Sequence, residues 1–320
     1  LPLWSCQMQK QLIAVLLAGG IAFAAQAADF PKEINITYVK APFNLQNIVM
    51  KEQGLLEKAF EKDGVKVNWR VINSGADQSL AMASGALDFS AVMNTASLLL
   101  GAGAGNPIAI ATGVAHPEKI FAMVGKPGSN LTVKDLKGKT VGGPKGTVLH
   151  QMLVSALAKE GMTINDINFV NMDPGAAMTA VVAGKIDAGL VAANGIIKAN
   201  AAGAKTITTC EGLVEPNLVM TVRKSFASEY PEAYARVIEV HRNTWKWIQA
   251  NKAEALAMGA KEQGITIDEA TKLYEWSNFY DVLNEGDIQG LEKDMKFLID
   301  NGMMKKSLDV RSLVLPSAMK

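Results

Sequence analysis

The chain has 320 residues, of which 49% are hydrophobic and 20% charged, with 28 Gly and 11 Pro. That length admits two domains of ordinary size and a full core without disulfide or metal support, while the composition excludes disorder, a collagen-like repeat and a continuous coiled coil. With 32 basic and 31 acidic residues, the charge balance does not suit a nucleic acid partner.

The first element is a targeting segment. Met8 to Gln11 leads into the apolar run Leu12 to Ala25 and the small-residue site Ala25-Gln26-Ala27, the three parts of a secretory signal cleaved after Ala27. A membrane anchor is the alternative, but a span needs about 20 apolar residues, and this run is shorter. Leu1 to Gln7 adds nothing to such a signal. Cleavage removes Lys10 and no acid, so the formal charge of +1 becomes zero. Cys6 leaves with the signal, and Cys210 remains without a partner for an internal bridge. An exported chain without disulfides needs a large core, consistent with a bacterial envelope compartment. Cys210 reads as a buried, inert thiol; a reactive or metal-binding role would need neighbours that the flanking sequence lacks.

Glu33 to Val39 alternates as a strand, and Leu45 to Glu61 has helical spacing. A strand over Val65 to Val71, a helix over Asp77 to Ser84 ended by Gly85, and a buried strand over Asp88 to Met93 follow. Strands alternating with helices predict a parallel α/β unit. A comparable unit comes next: a strand at Lys139 to Gly142, a helix over Val148 to Glu160, a strand over Ile167 to Val170, a helix over Ala176 to Ala183 and a strand over Ile186 to Val191. The two units share a pattern. Asn73-Ser74-Gly75-Ala76 through Gly85-Ala86-Leu87-Asp88 parallels Met172-Asp173-Pro174-Gly175-Ala176 through Gly184-Lys185-Ile186-Asp187. Gly85 and Gly184 read as helix-ending glycines, and Asp88 and Asp187 as side chains that bond the turn backbone, rather than as catalytic groups. Two similar halves predict a ligand between them, at strand carboxyl ends and helix N-termini. After Val219 the chain turns largely helical, over Ser228 to Gln249, Lys252 to Gln263, Ile267 to Trp276 and Asp287 to Asn301. Trp245, Trp247, Trp276 and Phe279 are spaced as packing residues, with a place in the cleft as the alternative.

Catalytic and metal patterns are missing. His116, His150 and His241 are far apart, and the sequence has no His-Glu-x-x-His, paired cysteines, calcium loop or nucleophile elbow. The reading is therefore a non-enzymatic protein without metal or cofactor. Gly142-Gly143-Pro144-Lys145-Gly146-Thr147 lacks the order of a nucleotide loop but follows a strand and opens a helix. Its free N–H groups suit a small anion or a carboxylate. An ordinary turn capped by Thr147 fits equally well. The same argument covers Ser74-Gly75 and Asn94-Thr95.

These residues together carry a family likeness. Gln53 to Lys58, Ser84 to Phe89, Leu136 to Val141 leading into Pro144 to Thr147, Ala183 to Ala188 and Tyr230 to Ala233, in that order, resemble the periplasmic substrate-binding proteins of ABC importers. Within them the chain is similar to the nitrate, taurine and aliphatic sulfonate binders and the related thiamine-precursor binders. The resemblance implies an α/β, two-lobed periplasmic binding protein type II fold, each lobe a mostly parallel sheet flanked by helices. Lobe 1 would be residues 28–120 plus 217–320, and lobe 2 residues 121–216. It also implies a periplasmic monomer that closes on a small-molecule ligand and hands it to an inner-membrane ABC permease with its ATPase.

The ligand residues so implied are Lys40, Phe43, Asn44, Ser74, Gly75, Met93, Asn94, Thr95, Lys145, Gly146, Thr147 and Asn194. The chain departs from sulfonate-type relatives where many have Trp-Asp, carrying Ala192-Ala193-Asn194-Gly195 instead. Lys40 and Lys145, with nearby hydroxyls and amides, would suit an anionic or zwitterionic solute; either lysine could equally point to solvent. The other readings are a pyrimidine-like thiamine precursor as ligand, a ligand-sensing periplasmic interaction protein, and a periplasmic enzyme on the same scaffold.

Overall fold

The structure, a computed structural model, describes residues 30–39 and 42–320. The expected signal at residues 1–27 and the candidate Lys40 lie outside the described residues.

The strand β1 (Glu33–Tyr38) is buried along all but its first residue, as expected of a strand covered on both faces. The single helix expected from Leu45 to Glu61 is instead two, α1 (Leu45–Glu52) and α2 (Leu55–Phe60). Gly54 separates them with φ 59, a left-handed conformation that glycine adopts without a Cβ clash. Next come β2 (Lys66–Val71), α3 (Gly75–Ala83), β3 (Phe89–Asn94), α4 (Thr95–Gly103) and β4 (Ile108–Ala115).

The second unit comprises β5 (Phe121–Gly125), β6 (Thr140–Gly143), α5 (Val148–Lys159), β7 (Asn168–Asn171), α6 (Pro174–Val182), β8 (Ala188–Ala192), α7 (Asn194–Ala201) and β9 (Lys205–Thr209). After β10 (Leu218–Arg223) the chain is helical: α8 (Lys224–Glu229), α9 (Pro231–Ala250), α10 (Lys252–Gln263), α11 (Ile267–Ser277) and α12 (Glu285–Asp300). The helix expected from Ser228 to Gln249 divides at Tyr230, whose φ −128 and ψ 63 are not helical. A residue before proline is pushed out of the helical region by the ring, and Pro231 then occupies the first turn of α9, where its missing N–H costs nothing.

Two five-stranded sheets form, in the orders β2-β1-β3-β10-β4 and β7-β6-β8-β5-β9. They have the same plan. Two parallel pairings are followed by two antiparallel ones, because β10 and β5 run against their neighbours. The sheets are therefore mixed: four strands of each run the same way, as expected of a mostly parallel sheet, and one strand is reversed. The reversed strands are those the chain enters on passing from one sheet to the other, β5 after residues 116–120 and β10 after residues 210–217. Arriving from outside the sheet's own strand-helix alternation, each is free of the right-handed crossover that makes successive strands parallel.

The repeat seen in the sequence has a structural counterpart. Gly85 (φ 76) and Gly184 (φ 69) take the left-handed conformation. Asp88 accepts the Asn35 N–H at 2.8 Å and the Arg223 guanidinium at 2.6 Å. Asp187 accepts the Thr140 N–H at 3.0 Å and the Lys126 ammonium at 2.8 Å. Each carboxylate thus ties the start of the central parallel strand to the end of the reversed strand, a wider role than the turn bond expected. Cys210 is fully buried, and burial pushes its thiol well above the ordinary range. Trp245 packs against Phe279 and Tyr274.

Candidate functional site

In both sheets the strands that begin each unit end at the same place, between the sheets. A cavity opens there, bounded by Val39 and Pro42 after β1, Met93 and Asn94 at the end of β3, Pro144 after β6 and Ala192 at the end of β8. Phe121 and Leu218, the first residues of the two reversed strands, close its floor. Four helices present their N-termini to it: α3 at Ser74 and Gly75, α4 at Asn94, α5 at Thr147 and Val148, and α6 at Pro174. Helix N-termini carry unpaired N–H groups and the positive end of the helix dipole. Among the described residues the lining itself carries no charged side chain. Outside it, Asp173 caps α6 by accepting the Ala176 N–H at 2.9 Å and Asp77 stands in the first turn of α3, which leaves α4 and α5 as the ends without an acid. The cavity measures about 50 Å³, and one water needs about 10–15 Å³, so the space suits a solute of few heavy atoms.

Close packing around the cavity explains several residue types. A Cβ on Gly75 would stand 2.7 Å from Ser97 Oγ and 2.9 Å from Asn94 Nδ2, so α3 and α4 approach too closely for any side chain there. The Ser74 hydroxyl accepts the Asp77 N–H at 3.3 Å and caps α3. Asn94 caps α4, its Oδ1 accepting the Ser97 N–H at 2.9 Å, and the same oxygen accepts the Val148 N–H of α5 at 3.1 Å. Gln78 donates to the Ile72 carbonyl at 2.9 Å and accepts the Ser90 hydroxyl at 2.6 Å, which fixes the loop ahead of α3.

The turn before α5 is held in an unexpected way. The Thr147 hydroxyl donates to the Pro144 carbonyl at 2.9 Å instead of capping the helix. Gly146, at φ 73, donates its N–H to His150 Nδ1 at 3.2 Å. His150 stacks on Phe169 with centroids 5.0 Å apart. Burial, reinforced by Lys145, pushes its pKa down to about 4, so the ring is neutral and Nδ1 is a lasting acceptor. After β8, Ala193 has φ 49 and ψ −124, a strained conformation for a residue with a Cβ, costing about 1–3 kcal/mol.

Of the candidate residues, Ser74, Gly75, Met93, Asn94 and Thr147 line this cavity. Lys145 and Gly146 border a separate groove with His150, and the Lys145 N–H donates to Asn171 Oδ1 at 2.8 Å. Phe43 is buried against Gly259 of α10. Asn44 donates to the Val39 carbonyl at 3.3 Å, Thr95 to Asp294 at 3.3 Å and Asn194 to the Gln263 carbonyl at 3.5 Å. Gln78, Phe121, Pro174 and Leu218 line the cavity without having been singled out. Pro174 was within reach of the sequence, since the internal repeat aligns it with the Ser74-Gly75 turn; Phe121 and Leu218 belong to strands the sequence left unassigned. Among the described residues no group of three or more His, Cys, Asp or Glu stands together to hold a metal ion.

A cavity at strand ends between two mixed sheets flanked by helices defines the class: an α/β fold that resembles the periplasmic binding proteins. Residues 51–255 match the family model NMT1/THI5 like, and the chain belongs to that family. A binding-protein homologue from Brucella abortus is 27% identical, covering 83% of this chain and 85% of the relative. The taurine-binding periplasmic protein of Escherichia coli is 30% identical, over 55% of this chain and 56% of that protein. Among solved structures, the alkanesulfonate-binding protein SsuA of Xanthomonas axonopodis pv. citri, bound to MOPS, superposes with a TM-score of 0.78 at 21% identity, covering 89% of this chain and 98% of the other; this likeness concerns the fold.

Proposed function

We propose that the chain is a periplasmic solute-binding protein of the type II, two-lobed kind, which binds a small anionic or zwitterionic solute, sulfonate- or taurine-like, and delivers it to an ABC permease. Lobe 1 comprises residues 28–120 plus 217–320 and lobe 2 residues 121–216; the distribution of strands between the two sheets supports this division. The observation that carries the ligand class is the convergence of four helix N-termini on a small cavity lined by no carboxylate. N–H groups held in place replace the water an anion loses, at no cost in rearrangement. Ser74, Gly75, Asn94 and Thr147 would meet the charged end, with Met93 shaping the apolar side; Lys40 would supply a cation, and Lys145, in the neighbouring groove, a more distant one. The protein acts as a non-catalytic, exported monomer.

The apolar lining of Val39, Pro42, Val92, Met93, Phe121 and Leu149 also favours a second reading, a flat pyrimidine-like thiamine precursor. Mass spectrometry of solute released from the purified protein, followed by calorimetry with taurine, short alkanesulfonates, nitrate and pyrimidines, separates the two. An anion or zwitterion bound in preference to the pyrimidines is the expected result; tight binding of a pyrimidine alone would replace the first reading with the second.

A further inference from the structure

Three hydrogen bonds cross between the two halves of the chain along one line, where α4 and α12 face α5. Asn94 Oδ1 accepts the Val148 N–H at 3.1 Å. The Ser97 hydroxyl donates to the Gly146 carbonyl at 3.0 Å. Asp294 accepts from the Gln151 amide at 3.1 Å, while its other oxygen accepts the Thr95 hydroxyl at 3.3 Å. The first of these is unlike the others, because the Val148 N–H lies at the N-terminus of α5 in the cavity wall. It is one of the donors an anionic solute would use, and it is filled by the protein's own carboxamide.

We propose that Asn94 is a built-in latch: its side-chain oxygen, seated between the N-termini of α4 and α5, draws the two halves together before any solute binds, and an anionic oxygen must take its place on the Val148 N–H. The chemistry of asparagine suits both parts of that role. Its neutral oxygen reaches two helix ends at once, 2.9 Å from the Ser97 nitrogen and 3.1 Å from the Val148 nitrogen. A charge-assisted hydrogen bond is roughly twice as strong as a neutral one, so an anion displaces the carboxamide, whereas a neutral solute gains nothing by the exchange. The latch thereby selects for charge in a cavity that has no cationic side chain among its described lining. Serine would still cap α4 but is too short to reach Val148. Aspartate would hold both N–H groups more firmly and repel an anion.

This inference rests on the two-lobed reading, and the test separates the two. Spin labels placed on exposed positions of α3 and α6, through Leu80→Cys and Thr179→Cys, report the distance between the halves by pulsed electron resonance; the buried Cys210 does not label. In the solute-free protein, Asn94→Ser is expected to lower the ratio of short to long distances about five-fold, the effect of one lost hydrogen bond, while Asn94→Asp raises it. Ala76→Trp serves as a wedge, because Ala76 Cβ lies 4.0 Å from where a side chain on Gly146 would begin. If Ala76→Trp lengthens the distance but Asn94→Ser leaves it as in the parent, the halves move and the latch is overturned. If no variant changes the distance, the two-lobed reading fails and takes the latch with it. Should Asn94→Ser not fold, Asn94→Asp decides alone: a larger long-distance fraction than in the parent overturns the proposal.

Discussion

Gly75 shows how much of the site is decided by a missing atom. Its Cα stands where α3 and α4 converge, and a methyl there would overlap Ser97 Oγ and Asn94 Nδ2 at 2.7 and 2.9 Å. The sequence offered it as a helix-start glycine beside a capping serine, which is its local role, but the close approach to α4 depends on a helix that begins twenty residues later. Gly75→Ala is expected to force α3 and α4 apart at a cost of about 1–3 kcal/mol, the usual penalty for overpacking. Urea unfolding of the parent and the variant measures it, and a midpoint unchanged by the substitution would show that the two helices yield freely. Thr147 makes the opposite point. Its sequence position predicts a helix cap, yet its hydroxyl closes the Pro144 turn, and the helix end is met instead by Asn94, distant in sequence, which holds the Val148 N–H.

At the scale of elements, the internal repeat made the two units legible, and most of their strands and helices follow the periodicity of the chain. What escaped was β4, β5, β9, β10 and α7. Of these, β9 is exposed or half-buried throughout and is a short edge strand of Lys and Thr, while the other three strands are core. The residues of β4, β5 and β10 are buried almost throughout, so they show no alternation of apolar and polar positions to mark them as strands. The helix breaks at Gly54 and Tyr230 were written in the sequence as Gly and X-Pro signals, but helical spacing on both sides concealed them. The paired aspartates permit a comparison within one molecule. The side chains of Asp88 and Arg223 are 6% and 20% exposed, whereas those of Asp187 and Lys126 are 24% and 40% exposed. Removing one partner of a buried pair leaves the other charge unpaired, so Asp88→Ala is expected to cost about 3–5 kcal/mol. Asp187→Ala, with its cation better hydrated, is expected to cost about 1–2 kcal/mol. Denaturant titration of both variants checks the order; equal losses would mean that burial does not set the strength of these clamps.

For the whole molecule, opposing titrations shape the response to acid. Burial lowers His241 to about 4, with Arg242 adding to the effect, and lowers His150 to about 4, with Lys145 adding to it, from an ordinary value of 6.5. The unfolded chain binds those protons first, so both histidines withdraw stability as pH falls from about 6.5 to 4. Asp294 works the other way. Burial raises it to about 6 from 3.8, despite hydrogen bonds from Gln151 and Thr95 that favour its charged form. The folded state therefore takes up that proton first, and stability is regained as pH falls through 6 towards 4. Two groups against one predict a net loss of melting temperature below pH 6.5. Asp294→Asn, which removes the opposing term, should make the decline steeper, and a shallower decline in thermal melts from pH 7 to 4 would contradict this balance.

Local pattern by itself determined the alternation of strands and helices, the doubled unit, the helix-ending glycines and the family likeness, because each rests on short segments, or on their order along the chain, that can be read without knowing what packs against them. The tertiary structure decided the rest. It placed the reversed strands in mixed sheets, brought four helix N-termini to one cavity, put Lys145 in a neighbouring groove and set Asn94 across the gap to Val148. Such features are distances between residues tens of positions apart, and they exist only once both sheets have formed and face each other.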